Sequence, residues 1–107
     1  MTDLLDLSAR ACFDMFARKK ASPVDLLEAV LARIDKVEPL VNAFALVDRP
    51  GALKAAEASA ARHAKGEPVG PADGLIATIK DNVLVRDLPN RRGTKTSSDA
   101  PATEDAV

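Results

Sequence analysis

The sequence predicts an α/β chain in which amino-terminal helices are followed by the first strands of a mixed sheet. Three observations carry that expectation. Up to Ile34 the large apolar residues recur at three- and four-residue spacing, the period of a helix with one buried face, and an Ala-rich, helix-favouring segment follows to Lys65. From Leu75 to Ile79 the spacing collapses into a nearly continuous apolar run with β-branched members, the pattern of a strand buried on both faces. Between the two lies Gly66 to Gly74, whose three glycines and two prolines mark a loop. A boundary near Gly66 therefore divides a helical region, 1–66, from a second region, 67–107.

Each element has its own signals. Ser8 precedes Cys12, Phe13 and Phe16 at helical spacing, which predicts a short helix from about Ala9 to Lys19. Arg18, Lys19 and Lys20 complement the negative end of that helix's dipole. Ser22, Pro23 and Asp25 supply an N-cap, a first-turn proline and the last member of a capping box. Leu27, Val30, Leu31 and Ile34 then mark the buried stripe of a second helix, which Pro39 is expected to end. Phe44 to Val47 reads as a short strand or an extended linker. Asp48 and Pro50 open a third, Ala-rich helix in which Leu53 is the one large aliphatic residue, and Gly66 is its left-handed stop. His63 falls in the last turn of that helix, where an exposed histidine is expected. Asn82 to Val85 is a second, shorter strand candidate.

Composition narrows the function. The chain has 107 residues and a formal net charge of -1, so it lacks the basic excess that draws a protein to nucleic acid or to an anionic membrane. It contains no Trp or Tyr, which argues against base-stacking platforms and leaves Phe13, Phe16 and Phe44 as core residues. The single cysteine, Cys12, sits among apolar residues and is expected to be a buried, inert thiol. No His and Cys cluster suits a metal, no cofactor motif occurs, and no long apolar run or leader is present, so the default setting is cytoplasmic.

One residue stands out chemically. Lys80 ends the apolar run and precedes Asp81 and Asn82, which puts an amine at the carboxyl end of a buried-type strand, where α/β sheets gather ligands. Shielded from water, such a lysine loses its proton more readily and can serve as a general base. Spacing alone favours the plainer reading, since a lysine ending a strand next to an aspartate is more often solvated or ion-paired.

The order of motifs adds to this. Ser22-Pro23-Val24-Asp25-Leu26, Ala32-Arg33-Ile34, Asn42-Ala43-Phe44 and the Ala-rich helix precede Pro71, Gly74 and Ile79-Lys80-Asp81-Asn82. Val85, Leu88, Pro89, Gly93 and Glu104-Asp105-Ala106 follow. This succession resembles the amino-terminal part of amidase-signature enzymes, and it covers nearly the whole chain. The resemblance implies that the fold is an incomplete piece of the amidase-signature fold, with 67–107 as the beginning of a truncated catalytic core. It implies hydrolysis of a carbon-nitrogen bond in a small-molecule amide through an acyl-enzyme: a serine attacks, and its proton passes through a second serine, held in a cis peptide, to a lysine that Lys80 matches.

The two serines of such enzymes lie in a Gly- and Ser-rich segment farther along than Val107, so the chain alone is expected to be inactive. Ser97 and Ser98 lack flanking glycines and are poor substitutes. The sequence departs from the family at Ile76, where proline is usual, at Ala72, where leucine is usual, and near Asn90, where threonine is usual. Arg91, Arg92 and Lys95 read as solvated charges, with recognition of a substrate carboxylate as the lesser alternative.

Two other functions fit the same residues. One is the glutamine-hydrolysing subunit of a tRNA-dependent amidotransferase, which works with partner subunits; Leu84 to Leu88 and Asn90 to Gly93 favour a stand-alone amidase over it. The other is a non-enzymatic helical module, in which apolar stripes around Cys12 and Leu27 dock a partner or a second copy. Under the amidase-fragment reading too, uncovered core-facing surfaces would promote pairing, so a homodimer is among the expectations.

Overall fold

A computed structural model describes residues 3–94 and 100–106. These residues cluster into two compact units, one of residues 3–43 and 47–76 and the other of residues 44–46, 77–94 and 100–106.

The first unit is helical. A 3-10 turn, Leu4–Asp6, is followed by α1 (Ala9–Ala17), α2 (Pro23–Val41) and α3 (Arg49–Ala64). The Ser8 side chain accepts from the Ala11 amide and starts α1, which ends at Ala17, two residues short of the expected Lys19, with Arg18 as its C-cap and the basic cluster just beyond it. At α2 the capping box forms in both directions: Ser22 Oγ accepts from the Asp25 amide at 3.1 Å, and Asp25 accepts from the Ser22 amide at 2.9 Å. Two orphan donors of the first turn are thereby satisfied. The Asp48 side chain caps α3 by accepting from the Gly51 amide, and Gly66, at φ +71°, closes it in the left-handed region.

Pro39 does not end α2. The helix continues to Val41 and stops at Asn42, which adopts φ 47° and donates its N–H to the Glu38 carbonyl at 2.8 Å. A proline so near a carboxyl terminus removes a single hydrogen bond from the last turn, and the turn is held by Asn42 and by a Glu38 carboxylate that accepts from the Ala43 amide.

The core of this unit is built from Cys12, Phe16 and Leu26, with Leu4, Leu5, Leu7, Val30 and Leu75 packed around them. Phe16, at 1% exposure, contributes roughly 1.5 to 3 kcal/mol through its burial. Cys12 is buried as expected; desolvation raises its pKa, which keeps the thiol protonated, and its Sγ donates to the Leu4 carbonyl. Among the phenylalanines the core expectation holds for Phe16, Phe13 is half-buried, and Phe44 is exposed. α3 packs against α2 and α1 through an inward face that carries the small residues Ala56 and Ser59 together with His63.

The expected α/β architecture, with the first strands of a mixed sheet, is not what the structure shows: among the described residues there are helices and no strand. Leu75 to Lys80, Phe44 to Val47 and Asn82 to Val85 all lack regular structure. Two isolated bridges, Arg86 with Ala102 and Pro89 with Pro101, are the only ladder-type pairings among the described residues. The physical reason is that a strand is completed by neighbours on its edges, and an apolar run alone provides none. Ile76 and Ile79 are accordingly exposed rather than buried.

Candidate functional site

Lys80 belongs to the second unit, and its surroundings are set by a turn and a nest. The Val83 amide donates to the Lys80 carbonyl at 3.0 Å, closing a turn whose central residues are Asp81 and Asn82, both good turn formers. Three successive backbone amides then converge on Asp81. The Arg91 amide donates to Oδ1 at 3.1 Å, the Gly93 amide to Oδ2 at 3.2 Å, and the Arg92 amide to the Asp81 carbonyl at 2.9 Å.

Arg92 at φ 52° and Gly93 at φ 71° turn those amides inward, so the segment 91–93 forms an anion-binding concavity whose anion is the Asp81 carboxylate. The Arg91 guanidinium donates to the Ala45 carbonyl at 3.2 Å, and Arg92 Nε donates to Asn90 Oδ1 at 3.3 Å. Asn90 Nδ2 is buried and has no hydrogen-bond partner among the described residues. Beyond the nest, the Arg86 amide donates to Asp105 at 2.7 Å, while the Asp87 and Ala102 amides bond across to Ala102 and Leu88.

Lys80 is exposed and makes no ion pair within 4.0 Å among the described residues. No ion pair with Asp81 forms; its two carboxylate oxygens accept from backbone amides. The apolar shield that a basic lysine needs is not supplied by the described residues. Ser97, Ser98 and Lys95 lie outside the described residues. Arg91 and Arg92, expected as solvated charges, are partly engaged in holding loops.

The buried polar centre of the helical unit escaped sequence reasoning. Asp73, with a side chain 3% exposed, accepts from Ser59 Oγ at 2.7 Å, Arg62 Nε at 2.8 Å and Nη2 at 2.6 Å, and the Val69 amide at 3.0 Å. His63 Nε2 lies 2.8 Å from the Asp73 carbonyl, and its ring packs against Phe13 and Phe16 at centroid distances of 5.3 and 5.2 Å. His63 is thus buried, at 5% exposure, and not the exposed histidine that its place near a helix end suggests. A signal was present: Ser59, Arg62 and His63 share one helical face, and an aspartate follows in the loop.

The Arg62 guanidinium hydrogen-bonded to Asp73 holds its carboxyl well below the usual carboxylate range, despite an opposing effect of burial. Its stabilisation is therefore complete above the unfolded pKa of about 3.9 and is lost progressively as pH falls below that value. Asp73→Asn is expected to lower the stability at pH 7 by about 2 kcal/mol. In urea titrations the difference from wild type should shrink steadily below about pH 4.

No group of three or more His, Cys, Asp or Glu side chains suits a metal ion among the described residues, and no helix among them is long and apolar enough to cross a membrane.

With the Lys80 turn in view, comparison with known proteins places the chain. Residues 25–107 match the amidase family, and the chain belongs to it. Among its relatives is a glutamyl-tRNA(Gln) amidotransferase subunit from Salinispora arenicola, 41% identical over 95 residues, covering 89% of this chain and 19% of that protein. The protein of the same name from Chloroflexus aurantiacus is 36% identical over 95 residues, covering 89% of this chain and 20% of that protein. An acylamidase of Rhodococcus erythropolis is 36% identical over 101 residues, covering 94% of this chain and 21% of that protein. The chain thus spans about a fifth of the length of the curated relatives it matches.

Proposed function

We propose that this chain is the amino-terminal part of an amidase that hydrolyses a carbon-nitrogen bond in a small linear amide, with Lys80 as the general base of a Ser/cis-Ser/Lys triad. The observation that carries the reading is the placement of Lys80 on a tightly held turn inside the segment that matches the family. In this reading the attacking serine, the relaying serine and the oxyanion donors come from the remainder of the protein, which also covers Lys80. Desolvation there favours the neutral amine, which takes the proton as the serine attacks the amide carbon. Residues 1–66 form a helical region, residues 67–107 begin the catalytic core, and the whole protein works in the cytoplasm without a metal or cofactor.

The chain of 107 residues should show no turnover of simple linear amides, whereas the complete protein should hydrolyse them. Release of ammonia or amine is the readout, and turnover by the chain alone would contradict the reading.

A second reading has a specific observation in its favour. The amidotransferase relatives reach 41% identity where the acylamidase reaches 36%. The complete protein would then hydrolyse glutamine as one member of an assembly that acts on charged tRNA. Glutaminase activity that appears only with co-purified partners distinguishes it from a stand-alone amidase.

A further inference from the structure

Lysine carries four rotatable side-chain bonds, so an amine that must meet a hydroxyl at hydrogen-bond distance depends on how firmly its backbone is held. The backbone on the carboxyl side of Lys80 is held at two points. Its own carbonyl accepts the Val83 amide, and the next residue, Asp81, collects the three amides of the 91–93 nest. The nest is anchored in turn, because the Arg91 guanidinium reaches the Ala45 carbonyl.

An aspartate beside a lysine ordinarily suggests an ion pair. Here the carboxylate accepts from backbone N–H groups, and the amine forms no ion pair among the described residues. A neighbouring carboxylate held on the amine would favour its charged form and oppose its use as a base.

We propose that Asp81 is the positioning residue for Lys80: by filling the nest of amides at 91–93 it fixes the backbone from which the amine is delivered. This rests on the reading of Lys80 as the general base. Asp81 touches no reacting atom and acts through the lysine. Charge-assisted bonds to two amides make the turn stiff, and an asparagine would keep one accepting oxygen while losing the second and the charge.

The test uses the complete protein and a simple linear amide. Asp81→Asn is expected to lower kcat about 10- to 100-fold with KM held within about threefold, since a small displacement of a catalytic group costs rate rather than substrate binding. Asp81→Glu, which restores two accepting oxygens, should recover part of that loss. Amide hydrogen exchange at Arg91 and Gly93 should quicken in Asp81→Asn while exchange in α2 stays unchanged.

Lys80→Ala serves as the reference. If it abolishes turnover while Asp81→Asn keeps wild-type kcat, or loses activity only in step with its folded fraction or only in KM, the positioning role is wrong and the base assignment stands. If Lys80→Ala retains full turnover, the base assignment fails and the positioning role fails with it. Should Asp81→Asn not fold, Asp81→Glu decides the matter: full wild-type kcat together with faster exchange at Arg91 and Gly93 would overturn the positioning role.

Discussion

Lys80→Ala in the complete protein is expected to lower kcat/KM on a linear amide by about 10²- to 10⁴-fold, the range lost when a positioned general base is removed. That corresponds to about 3 to 5 kcal/mol of transition-state stabilisation, at about 1.36 kcal/mol per decade. The serine proton has no other acceptor in the proposed chemistry, so the loss falls on attack and not on substrate binding. Lys80→Arg should be equally inactive, because guanidinium keeps the positive charge but does not give up its proton near neutral pH. If arginine restores activity, the residue acts by charge alone. Undiminished turnover by the alanine variant would remove Lys80 from catalysis altogether. Because Lys80 is exposed and outside the core cluster, neither substitution should disturb folding of the helical unit.

The largest expected effect on stability is that of Gly74→Ala. Gly74 sits at φ +94°, where a side chain is strained, and a Cβ there would lie 2.6 Å from Pro23 Cγ, 2.9 Å from Ser59 Oγ and 3.2 Å from Phe16 Cε2. Those neighbours belong to three different helices or their first turn, and Phe16 and Pro23 are fully buried, so none can move aside freely. Backbone strain of about 1 to 2 kcal/mol and overpacking of about 1 to 3 kcal/mol together predict a loss of about 2 to 5 kcal/mol.

Gly66→Ala isolates the first contribution: Gly66 is also left-handed, at φ +71°, yet nothing lies within 4 Å of its Cβ position. Urea unfolding of both variants should show the greater loss at Gly74. Equal losses at the two sites would mean that the clash contributes nothing. The close approach at Gly74 also explains why an aspartate next to it reaches Ser59 and Arg62, since only a residue without a side chain lets the loop press so tightly against α3.

Local rules account for what was legible. The starts of α1, α2 and α3 are written in Ser8, in Ser22 with Pro23 and Asp25, and in Asp48, because a cap is satisfied by residues a few positions away. Cys12, Phe16 and Leu27 were identifiable as inward-facing for the same reason: helical spacing depends on the chain alone. The run Leu75 to Ile79 shows where that logic stops. Its composition suits a buried sheet, but its burial depends on partner strands, and among the described residues it has none. His63 and Asp73 escaped for a related reason, since a polar residue at a helix end or in a loop is exposed or buried according to what packs over it: Phe13 and Phe16 for His63, and the side chains of Ser59 and Arg62 for Asp73.

By itself, then, the sequence determined three capped helices, a buried thiol, a family resemblance and the candidate Lys80, all of which follow from neighbours within a few residues or from an ordered motif. Only tertiary structure decided that Asp81 is bound by the amides of 91–93, that Asp73 gathers Ser59, Arg62 and Val69, and that the apolar run forms no sheet among the described residues. These outcomes turn on hydrogen-bond donors and packing surfaces that lie ten or more positions away for most of the contacts involved, and chain spacing carries no information about which of them will arrive.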